Sequence, residues 1–197
     1  MTIKDLKEQL EAGLEIVCED GGHKLKKDLT IGDLAKFKAA VSAVNDILVV
    51  AQTCAFADEI GIPEIKDHIE QPNKNGFDVQ YSDKNTKVLA ELKATIPCGK
   101  DRKYGANQKQ SIAKDLKNLS GESEKGKKLG IDLTDGKTDK YMVLIGLDSQ
   151  KKALGSKMPK TKMSVLEYAN ANNITVITVD DNVKIFDYDM YGWKDTD

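Results

Sequence analysis

The chain has 197 residues, 40% of them hydrophobic and 31% charged, with a formal net charge of −2. That is enough to bury one sizeable core and too short for two ordinary domains, so a single domain over 1–197 is expected. No run approaches the roughly twenty apolar residues of a membrane-spanning helix, and residues 1–13 are charged and amphipathic where a signal peptide is apolar; the expectation is a cytoplasmic protein with no membrane partner.

Cys18, Cys54 and Cys98 lie far apart with no CxxC pair, and His23 and His68 are the only histidines. Free thiols are expected, and structural zinc is not. The pI of 5.8 argues against a protein that coats nucleic acid indiscriminately, yet the charge is unevenly spread. Lys100, Arg102, Lys103, Lys109, Lys114, Lys117, Lys125, Lys127 and Lys128 crowd one stretch with few acids, residues 151–162 carry five lysines and no acid, and the tail after Met163 is acidic. A polyanion could lie along the middle of the chain. Surface lysine is common, however, so basic residues alone distinguish little.

In chain order, Ile3, Leu6, Leu10 and Leu14 have the spacing of an amphipathic helix ended near Gly13. Thr30 can cap a second helical region with Ile31, Leu34, Phe37, Val41, Val44, Ile47 and Leu48 on one face. That pattern runs on through Val50, Cys54 and Ile60, with a break expected at Asn45-Asp46 and a stop at Gly61-Ile62-Pro63. Residues 71–76 are dense in turn formers, so residues 1–71 read as mainly helical and 72–197 as a sheet with flanking helices. Phe77, Val79 and Tyr81 alternate with polar neighbours and residues 87–96 are apolar-rich, giving a hairpin around the turn at 83–86. Residues 107–119 predict a helix with Ile112, Leu116 and Leu119 inward, followed by a Gly- and Lys-rich loop and a buried strand at 141–147. Ser164 caps a further helix through Asn170, and strands follow at 174–179 and 183–188. The order predicts an α/β fold: a mixed sheet with helices on both faces.

Glu91 and Lys93 are two apart on a strand and project from one face, and antiparallel pairing in the hairpin could bring Asp78 beside Glu91. Two adjacent carboxylates can share a hard divalent ion that keeps several waters and bridges to a phosphate oxygen. A lysine on the rim can orient the attacking water and stabilise negative charge. No glycine-rich phosphate loop or GxSxG elbow competes with this reading, and neither histidine has a relay partner nearby in sequence.

Over roughly residues 45–148 the sequence resembles the PD-(D/E)xK nuclease superfamily, with Asp78 on one strand, Glu91-Leu92-Lys93 on the next, and a helix before and after the pair. Phe77 stands where the motif's name has proline. Within the superfamily the chain looks most like a Type II restriction endonuclease, which implies a restriction-endonuclease-like mixed sheet flanked by helices. It also implies Mg2+ as cofactor, double-stranded DNA as substrate and a homodimeric assembly. The resemblance makes Asp78, Glu91 and Lys93 the catalytic set, with the metal held by Asp78, Glu91 and the backbone carbonyl of Leu92. Of Asp58, Glu59 and Glu64, the preferred additional ligand from the first helix is Glu59.

Lys100, Arg102, Lys103, Tyr104, Asn107, Gln108, Lys109 and Gln110 follow the catalytic strand and are the candidate DNA contacts, Arg for guanine or phosphate and the amides for adenine edges or water. The ordinary alternatives are a solvent-facing stripe for Glu91 and Lys93, a post-turn polar residue for Asp78, and a charged loop capping a helix for the basic stretch. Trp193 with Tyr188 and Tyr191 could form a stacking platform, but the acids around them favour packing instead. Two other functions compete: a nuclease of branched DNA, and a catalytically inactive nuclease-fold module that binds DNA or protein.

Overall fold

The computed structural model describes residues 14–15, 18–19, 24–25, 30–68, 76–94, 106–134, 136–146, 154–180 and 182. The expected helix at 3–14 (but for its last residue), Cys98, Lys100, Arg102, Lys103, Tyr104, the strand at 183–188 and the aromatic tail lie outside them.

Helix α1, Ile31–Glu59, starts at a reciprocal cap: the Asp33 amide donates to Thr30 Oγ1 at 3.1 Å and the Thr30 amide donates to the Asp33 carboxylate at 3.1 Å. The expected break at Asn45-Asp46 does not occur, and the helix runs on for 29 residues. Neither residue removes a backbone donor as proline would, and each costs a helix interior only a fraction of a kcal/mol, about 0.7 at most. The stop falls where expected, with Ile60 as cap and Gly61 in the left-handed region at φ +70°, which suits a residue without Cβ. A 3-10 helix, Pro63–His68, follows.

Two short strands, β1 (Cys18–Glu19) and β2 (Lys24–Leu25), pair antiparallel by themselves. The main sheet has four strands in the order β3 (Val79–Ser82), β4 (Lys87–Lys93), β5 (Asp139–Ile145) and β6 (Ile174–Val179). The hairpin β3–β4 is antiparallel, and β4–β5 and β5–β6 are parallel, so the sheet is mixed. Asp83 closes the hairpin: its Oδ1 accepts from the amides of Asn85 at 2.7 Å and Thr86 at 2.6 Å, and these bonds hold its carboxyl below the usual range. The parallel connections carry α2 (Ala106–Ser120) and α3 (Glu124–Lys128) between β4 and β5, and α4 (Val165–Ala171) between β5 and β6. Helix α3 occupies part of the stretch expected to be loop, and Ser123 caps it with an oxygen that accepts from the Lys125 amide. Among the described residues no helix is long and apolar enough to cross a membrane.

Strand alternation divides β4 between two cores. Val88, Ala90 and Leu92 face α1, packing with Phe56, Ala57, Val79, Tyr81 and Val143. Leu89 faces the other way, into Ile112, Leu116 and Leu119 of α2 and Val165, Tyr168 and Ala169 of α4. Helices therefore cover both faces, and Glu91 and Lys93 share the side of Leu89, toward α2.

Leu116 is fully buried on α2, whereas Leu166 on α4 is 43% exposed. Leu116→Ala should cost about 2–5 kcal/mol in urea unfolding, and Leu166→Ala should stay within about 0.5 kcal/mol of wild type.

Candidate active site

Glu91 is only 3% exposed and sits in an internal strand, which overturns the solvent-stripe alternative. The pairing of Val79 with Ala90 sets Asp78, one residue before β3, at the position opposite Glu91. Asp78 is exposed at the rim, and its Oδ2 accepts a hydrogen bond from the Leu92 amide at 2.8 Å, so the strand edge itself fixes its place. In an extended strand the N–H and C=O of one residue point the same way, so the Leu92 carbonyl turns toward the Asp78 side as well.

Helix α2 supplies what the sequence reading missed. Ser111, Asp115 and Asn118 recur at four- and three-residue spacing and form a polar stripe laid over β4. Lys93 Nζ donates to Ser111 Oγ at 3.1 Å and pairs with Asp115 Oδ2 at 2.5 Å. Asn118 Nδ2 donates to Glu91 Oε1 at 3.3 Å, and Lys125 Nζ of α3 pairs with the same oxygen at 2.6 Å. On the other face, Gln52 of α1 donates through Nε2 to the Lys93 carbonyl at 3.4 Å. The signal for the stripe was present in the sequence: residues 111, 115 and 118 each precede one of the inward apolar residues Ile112, Leu116 and Leu119, and so flank the apolar face.

The electrostatics follow from this crowding. Burial, and after it the charges of Asp115 and Asp78, push the Glu91 carboxyl up to about 8, against the pull of Lys125. Burial also raises the Asp115 carboxyl, with Lys93 opposing it. Three carboxylates and two ammonium groups thus share one small region near the carboxyl end of β4, where the parallel strands of an α/β sheet present their ligand sites.

Asp78, Glu91 and Lys93 are brought together, and the Leu92 backbone borders them. Glu59 is not among the acids acting on Glu91: it is exposed near the end of α1, the helix that covers the opposite face of β4. Asp58 instead pairs with Lys66 at 2.5 Å. Asn107, Gln108, Lys109 and Gln110 occupy the first turns of α2, with Asn107 one turn beyond Ser111 on the same stripe.

The donors fit a hard cation in type: oxygens only, with Asp78 engaging a single oxygen in a hydrogen bond. Among the described residues no three acids, histidines or cysteines are gathered as a ready cage. Magnesium is commonly held by one or two carboxylates plus substrate phosphate, and Asp78 with Glu91 answers to that pattern. Compared with family models, curated proteins and solved structures, the chain gives no match.

A carboxyl raised on folding makes the folded state bind more protons than the unfolded one between its two values, so stability falls as pH rises through that window. For Glu91 the window runs from its ordinary 4.5 to about 8, and Asp115 acts in the same direction. In chelator, the melting temperature should therefore fall between pH 5 and 8, by at most about 1.4 kcal/mol of stability per unit for this one group. Glu91→Gln should flatten that slope and melt higher than wild type at pH 8, as followed by circular dichroism.

Proposed function

We propose that the chain is a magnesium-dependent endonuclease that hydrolyses phosphodiester bonds of double-stranded DNA, acting as a homodimeric restriction enzyme of Type II. The observation that carries this reading is the convergence of Asp78, Glu91 and Lys93 on one face at the carboxyl end of β4, with Glu91 buried beside two other acids. A buried carboxyl raised by desolvation and by two neighbouring acids, at the end of a parallel strand, is the kind of perturbed group that gathers at functional sites.

In this reading Asp78, Glu91 and the Leu92 carbonyl hold the ion, whose bound form supplies Lewis acidity toward the phosphate and a more acidic water. Lys93 is held from behind by Asp115 and Ser111, which fixes its ammonium on the rim, where it orients the attacking water and meets charge on the phosphate oxygens. Asn107, Gln108, Lys109 and Gln110, at the start of α2, meet the DNA beyond the reacting phosphate, together with the basic residues Lys100, Arg102 and Lys103 and with Tyr104.

A second reading, a catalytically inactive module that binds DNA or protein, is favoured by one observation. Lys125 already neutralises Glu91 and Lys93 already neutralises Asp115, so the charges are paired without an ion.

Purified protein incubated with methylated and unmethylated genomic DNA should give discrete fragments with Mg2+ and none with chelator. Asp78→Ala and Lys93→Ala should each lose on the order of 100-fold or more in cleavage rate while still retarding DNA in a gel. A smear would redirect the reading to a nonspecific nuclease, cutting of junctions alone to a branched-DNA enzyme, and no cutting of any substrate to the inactive module.

A further inference from the structure

The carboxylate at the centre of the site is held by a lysine to which the reading above gives no task. Lys125 Nζ lies 2.6 Å from Glu91 Oε1 and 4.7 Å from the centroid of the Phe77 ring, on the ring face that attracts a cation. Its position is built. Ser123 Oγ accepts from the Lys125 amide at 3.3 Å and donates to Asn118 Oδ1 at 2.8 Å, while Asn118 Nδ2 donates to the same Glu91 oxygen. The next residue is Gly126, where a Cβ would come within 2.7 Å of Leu133 Cδ1, so the turn that carries Lys125 is pressed against the core. Its neighbours differ: Lys127 and Lys128 are exposed, and Lys127 pairs within α3 with Glu124 at 3.0 Å.

A divalent ion on Glu91 Oε1 and an ammonium group 2.6 Å from that oxygen cannot both stay. They compete for the same lone pairs, and a dication and a monocation a few ångströms apart repel strongly in a partly buried site. The lysine stem is flexible and the ammonium is a compact charge with three donors, so Lys125 can leave Glu91 without any movement of α3.

We propose that Lys125 is an internal counter-ion of Glu91 that a divalent cation displaces, and that the released ammonium, tethered beside the same carboxylates, then binds a phosphate of the DNA. The inference rests on the nuclease reading and adds to it a coupling. Ion binding frees a phosphate ligand, and by linkage phosphate binding favours the ion.

Full-length wild-type protein is treated with an amine-acylating reagent in chelator and in Mg2+, and acylation at each lysine is read by mass spectrometry. Lys125 should become several-fold more reactive with the ion, while Lys127 serves as an unchanged reference. In calorimetric titration Lys125→Gln should bind Mg2+ several-fold more tightly than wild type, and Glu91→Gln should lose binding. With Ca2+ present to prevent cutting, Lys125→Gln should hold duplex DNA several-fold more weakly than wild type, and in chelator the two should bind alike.

If Glu91→Gln loses the ion but Lys125→Gln binds it as wild type does and Lys125 reactivity is unmoved, this inference is overturned and the metal-site reading stands. Tighter Mg2+ binding by Lys125→Gln with no loss of DNA affinity in Ca2+ overturns the phosphate step. If wild type takes up no ion, or Glu91→Gln binds it equally well, the metal reading falls and the inference falls with it.

Discussion

Glu91 is a carboxylate set almost out of water in an internal strand, and transfer of such a charge from water costs several kcal/mol, on the order of 3–5 when its partner is missing. Lys125 and Asn118, on a single oxygen, offset part of that cost, and each of these two brings a piece of chain with it. Asn118 fixes the rotation of α2 about its axis, because its neighbours Leu116 and Leu119 must fill the core at the same time. The turn after α2 places Lys125 within reach of Glu91, because Ser123 caps α3 and Gly126 packs on Leu133. The segment between β4 and β5 is thereby tied at two points to one side chain.

The alternation of β4 keeps this charged region apart from the packing on the other face. Val88, Ala90 and Leu92 give α1 a continuous apolar surface, and a polar contact there, from Gln52 to the Lys93 carbonyl, secures the end of the strand that carries the lysine. A slip of one residue in the hairpin would exchange the faces and put Glu91 and Lys93 against Phe56 and Ala57. The Asp83 turn, with its carboxylate accepting two backbone amides, sets that register. The position of Asp78 opposite Glu91 thus depends on the turn at the other end of the hairpin.

The parts of the fold governed by local chemistry were legible in the sequence. Thr30 and Ser164 both form reciprocal caps, the strand at Ile174–Val179 has the expected ends, and the hairpin brings Asp78 to Glu91 as alternation implies. What was not legible depends on rotation and on tertiary contact. Helix α3 has five residues and a central glycine, so no periodicity could announce it, and it stands where Ser123, Leu133 and Glu91 hold it. Asp115 and Asn118 flank the apolar face of α2, and only the facing strand turns that flank inward. The order of elements along the chain also does not say which face of the sheet a helix covers, and α1 packs on the face of Val88, Ala90 and Leu92.

Stability alone gives little reason for so many charges in one place. Replacing a buried ion pair by apolar residues of similar volume is often neutral or stabilising, by about 1–4 kcal/mol. The face that holds Glu91, Lys93, Asp115 and Lys125 is already lined by Leu89, Ile112, Leu116 and Met142, which could accommodate further apolar side chains. A protein selected only for its fold would tend to lose such a cluster. Three acids and two lysines kept at the carboxyl end of a parallel strand favour a task in which charge must be received, and a phosphodiester held with a divalent cation brings charge of both signs. On the proposed reading Lys93, backed by Asp115, would meet the anion, and Glu91 would meet the cation in place of Lys125.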